Sequence, residues 1–149
     1  VQEMFENMKL GLEPVCDSQG VNLHTDIENG FIKADYDLFE TMIVNLVDNA
    51  VKADCKDVWI IGRMEKEKYQ ICVRDNGKGI PTEELGRITE AFYMVDKSRA
   101  RKQHGAGLGM ALVSKIAAIH KAEMQIKSDG RTGTEIYFIF CELEGEWNE

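Results

Sequence analysis

The sequence predicts a two-layer α/β sandwich, with helices on one face of a mixed, mostly antiparallel sheet. Three observations predict it. Strand-like runs come in pairs around short turns, as hairpins do. Between those pairs stand stretches with apolar residues at i, i+3 and i+4, the helical period. The chain has 149 residues, the length of one average domain, so these segments share one core. Strand pairs interleaved with helices bury their apolar faces by laying the helices on one side of a sheet.

Residues 2–12 place Met4, Phe5, Met8 and Leu12 at helical spacing. Residues 21–27 and 31–34 read as two strands flanking Asn29-Gly30, a strong hairpin turn signal. Residues 35–53 predict the best helix, because Leu38, Phe39, Met42, Ile43, Leu46, Val47 and Ala50 recur on one face. Residues 58–64 and 69–74 read as strands joined by the charged turn 65–68. Residues 75–109 are poor in apolar side chains and rich in Gly, Lys and Arg, with room for one short helix near 82–92. Residues 108–120 read as a helix with Leu108, Leu112, Val113, Ile116 and Ile119 on one face. Residues 124–127 and 134–143 read as strands around Asp129-Gly130. No repeat or linker divides the chain, so 1–149 is read as a single domain.

Composition excludes several classes. With 44% apolar and 30% charged residues, the chain is neither collagen-like nor intrinsically disordered. The net charge of −8 argues against loose binding to a nucleic-acid backbone, though not against a local basic site for one small anion. Four cysteines stand alone, with no CxxC and no zinc-finger spacing; they read as free, mostly buried thiols of a reducing cytosol. No apolar run approaches the roughly 20 residues of a membrane span, and no signal peptide is visible. The first residue is Val1 rather than Met, as in a piece of a longer chain.

Three motifs carry chemistry. On the central helix, Thr41, Asn45, Asn49 and Lys52 fall along one narrow line at 100° per residue. Asn is a poor helix former, so two of them four apart need a reason. Either they hydrogen-bond a neighbouring loop, or they supply oxygen ligands to a hard cation, with Lys52 as a point charge for phosphate. Next, Asp75-Asn76-Gly77-Lys78-Gly79-Ile80-Pro81 follows a strand, and its glycines allow a tight turn or a close ligand approach. A calcium loop is excluded, since Gly77 and Gly86 stand where acidic ligands belong. Last, Gly105-Ala106-Gly107-Leu108-Gly109-Met110 opens a helix, a place suited to phosphate. It is not a P-loop, because no Gly-Lys-Ser/Thr follows, nor a dinucleotide fingerprint, because Met110 replaces the third glycine. Just upstream, Lys97, Ser98, Arg99, Arg101, Lys102 and His104 form a basic run that is either a solvated loop or a lid over polyphosphate. His24, His104 and His120 show no ligand spacing and read as structural or surface residues, and neither Trp59 nor Trp147 carries a signal.

Taken together and in order, these motifs resemble the ATP-binding catalytic domain of sensor histidine kinases, within the GHKL ATPase superfamily. Residues 45–52 look like its N box, 75–79 its G1 box, 91–99 its F box and 105–110 its G2 box, and Gly133-Thr134 resembles its last glycine motif. The resemblance implies a Bergerat-type fold and ATP with Mg²⁺ as its ligands. Carried over, Asp75 would accept a hydrogen bond from the adenine amino group. Asn49 and Asn45 would hold the metal and Lys52 would meet phosphate. Gly77, Gly79 and Ile80 would shape the base pocket beside Phe92. Lys97 and Arg99 would belong to the lid at 94–104. Gly105, Gly107, Leu108 and Gly109 would wrap the phosphates, and Thr134 would lie at the pocket floor.

The ATP-hydrolysing branches carry a Glu four residues before the metal-binding Asn; here that position is Asn45, which cannot act as a general base. The resemblance therefore implies a kinase that holds ATP for an outside nucleophile. Its partners would be its own dimerisation and phosphoacceptor hairpin, absent from this chain, and a response regulator. The parent would be a homodimer, with or without a membrane anchor, and this domain would lie in the cytoplasm and touch neither membrane nor nucleic acid. Residues 1–20 would be the helix connecting from the hairpin. The alternatives are an anti-sigma-factor-like serine kinase of the same fold and a non-catalytic ATP-sensing module. The chain departs from the family pattern at Ala53, Ala91, His104 and Lys121-Ala122.

Overall fold

The first helix outruns its expected end. In the computed structural model, which describes residues 2–30, 32, 34–52, 55–78, 109–128 and 133–141, α1 spans Gln2–Ser18. Its buried side chains are Phe5, Met8, Leu12 and Cys16, so the apolar stripe runs one turn beyond Leu12. Pro14 lies inside the helix and removes one backbone donor. Pro14 and Leu10 are both exposed, a position where solvent can satisfy the carbonyl left over. The helix stops in a Schellman turn: Val21 N–H donates to Cys16 O and Gly20 N–H to Asp17 O, with Gly20 at φ 72°.

Strand β1 (Asn22–Ile27) follows, then α2 (Tyr36–Lys52), β2 (Asp57–Glu65), β3 (Lys68–Asp75), α3 (Gly109–Ile119), β4 (Glu123–Ser128) and β5 (Thr134–Phe140). The sheet order is β1-β2-β3-β5-β4. The β1–β2 pair is parallel and the other three are antiparallel, as the expected mixed, mostly antiparallel sheet requires.

The hairpin expected around Asn29-Gly30 does not form. β1 pairs in parallel with β2, and neither Ile32 nor Ala34 is in a strand. A parallel neighbour needs a crossover, and α2 supplies it. Ile32 and Ala34 pack instead against the core on the way into that helix, and Tyr69, wholly buried, donates its hydroxyl to Glu28 O at the exit of β1. Turn chemistry was thus outweighed by the need to cover the apolar face of α2. That helix starts at an N-cap: Asp35 Oδ1 accepts from Leu38 N–H at 3.1 Å.

One face of the sheet meets the helices. Val58, Ile60, Ile71, Val73, Ile136, Phe138 and Phe140 are buried there against Phe39, Met42, Ile43, Leu46 and Val47 of α2 and Val113 and Ile116 of α3. Phe39 links the layers, with its ring 5.7 Å from Phe5 of α1 and 5.9 Å from Phe140 of β5. The other face is polar and aromatic; His24, Trp59, Arg74, Glu135 and Lys127 lie side by side in register across all five strands.

Just past the end of α3, Lys121 takes φ 56°, the conformation glycine adopts easily. Lys121 N–H donates to Ala118 O and Ala122 N–H to Ala117 O, the same Schellman bonds that Gly20 makes for α1. A lysine therefore holds this turn, at a cost of roughly 1 kcal/mol for the left-handed backbone.

Candidate functional site

The site grows from the C-terminal end of β3. Asp75 closes that strand and stands opposite Thr134, the first residue of β5. Its Oδ1 accepts from Gly77 N–H at 2.8 Å, and it also accepts from Thr134 N–H. Both donors are backbone, so the carboxylate is held by the scaffold and not by mobile side chains. Burial pushes its pKa above the ordinary aspartate value, the two N–H bonds opposing that rise. A part-buried carboxylate already satisfied on one side is suited to accept one further hydrogen bond from a ligand.

Gly133 explains why a glycine precedes Thr134. Its φ is 122°, and a Cβ placed on it would lie 1.9 Å from Asp75 O and 3.0 Å from Asn76 Cα. Only a residue without a side chain lets β5 approach the end of β3 this closely.

The second wall is α2, which packs against β3. Asn45, Asn49 and Lys52 follow one another along it, as their spacing predicts. Asn45 Nδ2 donates to Thr41 O at 2.8 Å, which turns its Oδ1 away from the helix backbone and leaves it to accept or ligate. Asn49, half-buried, makes no side-chain hydrogen bond among the described residues. Lys52 Nζ sits 2.9 Å from Asp48 Oδ2, one turn back. The neighbouring-loop partners that would make this stripe purely structural are not seen among the described residues for the two asparagines. Two neutral amide oxygens fit a hard cation that also takes phosphate oxygens. Among the described residues no group of three or more His, Cys, Asp or Glu could hold a metal by itself.

The chain leaving α2 returns to Asp75. Cys55 is buried close enough that the Asp75 charge adds to the effect of burial, and its thiol pKa is pushed up to about 11. It therefore stays a neutral thiol at the pocket's edge. Cys16 and Cys72 are likewise buried and free, while Cys141 is exposed.

The structure thus brings together Asp75, Gly77 and Thr134, and sets Asn45, Asn49 and Lys52 in line on α2, a helix that packs against β3. Gly109 is the first residue of α3. Gly79, Ile80, Phe92, Lys97, Arg99, Gly105, Gly107 and Leu108, with the expected lid at 94–104, lie outside the described residues.

Sequence reasoning missed three contributors. Asn76 had no assigned role, yet its Oδ1 accepts from Lys56 N–H at 2.9 Å and Asp57 N–H at 3.0 Å, and its Nδ2 donates to Asp57 Oδ2 at 3.0 Å. Asp57 also meets His24 Nε2 at 2.9 Å and Asn22 Nδ2 at 3.3 Å, and the bond to His24, followed by those to Asn76 and Asn22, holds its pKa below the usual value. His120 joins two helix ends: its Nδ1 contacts Ile116 O at 2.8 Å, and its Nε2 accepts from Asp35 N–H at 3.0 Å. These are long-range pairings. A sequence shows the residues but not that 19 or 85 positions apart they touch.

Comparison with known proteins places the chain. Residues 34–144 match the family described as histidine kinase-, DNA gyrase B- and HSP90-like ATPase, and the chain belongs to that family. Within it, the chain is 35% identical over 123 residues to the sensor histidine kinase YkoH of Bacillus subtilis, covering 83% of this chain and 27% of that one. It is 38% identical over 104 residues to the signal transduction histidine-protein kinase ArlS of Staphylococcus aureus, covering 68% of this chain and 23% of that one. The chain therefore spans about a quarter of the length of these relatives. Its fold is shared by full-length ShkA, solved in complex with AMPPNP (TM-score 0.80, 23% identity, 95% of this chain and 30% of that one). It is shared too by the mycobacterial sensor histidine kinase MprB (TM-score 0.79, 22% identity, 92% of this chain and 94% of that one). Among the described residues no helix is long and apolar enough to cross a membrane.

Proposed function

We propose that this chain is the catalytic part of a two-component sensor histidine kinase, binding ATP with Mg²⁺ and presenting it to a histidine on a separate helical hairpin. The observation that carries the reading is Asp75, a part-buried carboxylate fixed by two backbone N–H groups at the end of β3, the strand against which the helix bearing Asn45 and Asn49 packs. A fixed carboxylate accepts from the amino edge of adenine. Guanine would set a carbonyl oxygen against it, and the two would repel, so one residue selects the base.

Asn45 and Asn49 would hold Mg²⁺ through their amide oxygens. The cation, when bound, neutralises charge on the transferring phosphoryl group. Lys52, now paired with Asp48, adds a positive charge one helical turn along. The same stripe argues against fast hydrolysis, because an amide at Asn45 takes no proton from water. Phosphoryl transfer to an outside nucleophile needs mainly positioning and charge neutralisation, which these residues supply.

The names of the relatives support this reading over the serine-kinase and scaffold alternatives. The partners then are the phosphoacceptor hairpin of the same parent, a homodimer, and a response regulator. The domain works in the cytoplasm, under a parent that is anchored in the membrane.

The test supplies the chain with radiolabelled ATP, Mg²⁺ and purified hairpins bearing histidine or, as controls, Gln in its place. Label on the histidine hairpin alone, with little free phosphate released, is the expected result. Rapid phosphate release without transfer would place the chain in a hydrolysing branch.

A further inference from the structure

The amide of Asn76 joins three strands next to the residue read above as the base selector. Asn76 follows Asp75 directly, and its side chain is exposed, yet it makes three hydrogen bonds at 2.9–3.0 Å. All three go to Lys56 and Asp57, where the chain enters β2. The other oxygen of Asp57 is held from β1 by His24 and Asn22. The chain beyond Asp75 is therefore clamped to β2 and, through Asp57, to the edge strand β1. On its other side, Asp75 is gripped by Thr134 N–H and by the close approach of Gly133.

Two constraints act on one short segment. The grip from β5 fixes where the Asp75 carboxylate sits. The clamp from β2 fixes the direction of the chain into Gly77, whose N–H holds Asp75 Oδ1. Loss of the clamp leaves the β5 grip in place but frees Gly77 N–H to turn, and the carboxylate loses its set orientation.

We propose that Asn76 and Asp57 are positioning residues for base recognition: their side-chain pair aims Asp75, and so sets how well the site tells adenine from guanine. This rests on the reading of Asp75 as the base-binding carboxylate. Neither residue touches the nucleotide in this account; both act through the 75–77 segment.

The pair can be broken and remade by exchanging its donor and acceptor. Asn76→Asp keeps an oxygen for the Lys56 and Asp57 N–H groups but sets a second carboxylate against Asp57. Adding Asp57→Asn returns a donor to the pair, now from position 57, while its oxygen still faces His24 and Asn22. Calorimetric titration of the unaltered chain, N76D and N76D/D57N with Mg-ATP and Mg-GTP, beside thermal melts of each, is the experiment. N76D should weaken ATP by about tenfold, the worth of one good hydrogen bond, and weaken GTP less, so that the ATP-to-GTP ratio shrinks. The double variant should regain both affinity and ratio.

The ratio separates aiming from mere folding, since loss of folded protein lowers both affinities alike. If N76D does not fold, Asp57→Ala decides by the same ratio, because it keeps the bonds from Asn76 to the β2 backbone. An unchanged ratio in N76D or D57A overturns the proposal, as does a double variant that melts like the parent without regaining selectivity. If the unaltered chain binds no ATP, the functional reading itself fails and this proposal with it. If it binds ATP selectively and the variants do too, only the positioning role fails.

Discussion

The two walls of the site are built differently. At the strand end, Asp75 is locked by backbone donors on β5 and on its own turn, by Gly133 pressed against its carbonyl, and by the Asn76–Asp57 pair behind it. On α2, Asn45 bonds only within its own helix, Asn49 makes no side-chain bond among the described residues, and Lys52 leans on Asp48 in the same helix. The strand end is held by tertiary contacts from β5 and β2, whereas helical periodicity sets Asn45 and Asn49 in line, with no side-chain partner outside α2 among the described residues. Under the proposed function, the carboxylate that meets the base is organised before any ligand arrives, whereas the two asparagines would gain partners from the ligand.

The contrast is broken most severely at Gly133. Gly133→Ala puts a methyl group 1.9 Å from a backbone oxygen at a φ that alanine resists. The β5–β3 junction must then open, at about 3 kcal/mol or more. Thermal melting should show a fall of many degrees, with nucleotide binding lost along with the fold.

Asp75→Asn should separate binding from stability. The buried charge is what raises the pKa of Asp75, so the ionised form costs the empty fold some stability at neutral pH. For an acid whose folded pKa is raised, that cost disappears as pH falls through the folded value, which here lies above the ordinary aspartate pKa. The variant should melt no lower than the parent at pH 7, yet lose about 1–3 kcal/mol of ATP binding. In the parent, ATP affinity should fall as pH drops into the same window, because a protonated Asp75 is a weaker acceptor and carries an O–H that the adenine amino group cannot accept. Affinity flat down to pH 4 by calorimetry would remove the carboxylate from recognition.

Asn49→Ala should be the mildest change to the fold. Its side chain makes no hydrogen bond among the described residues, so melting should move by less than about 0.5 kcal/mol. The effect belongs to the metal: Mg²⁺ should enhance ATP affinity less in N49A than in the parent, by about 1 kcal/mol. Equal enhancement in both would assign the cation elsewhere.

The same contrast governs what the sequence revealed. The α2 stripe was legible in full, because 100° per residue is enough to align Asn45, Asn49 and Lys52. Among the described residues the three helices and five strands were largely legible too, since apolar period reports which face is buried, though the strand expected at 31–34 did not form and α1 outran its expected end. The partner of β1 was not. Asn29-Gly30 favours a local turn, and only the whole core shows that Ile32 and Ala34 must lead into α2 instead. The clamp on Asp75 was also hidden. Asn76 looks like a turn residue until β2 is placed beside it, and the structural role open to His120 finds its partner only when Asp35, the N-cap of α2, meets it. Periodic features are local and readable; features that depend on two distant segments meeting are not.

Adenine recognition by a preset Asp75 is the centre of this account. Its most direct measurement is calorimetric titration of the unaltered chain with ATP and GTP, each with Mg²⁺ and again with the metal chelated. Strong preference for ATP over GTP under both conditions, with Mg²⁺ tightening ATP binding, is the predicted result. Equal affinity for the two nucleotides would contradict it.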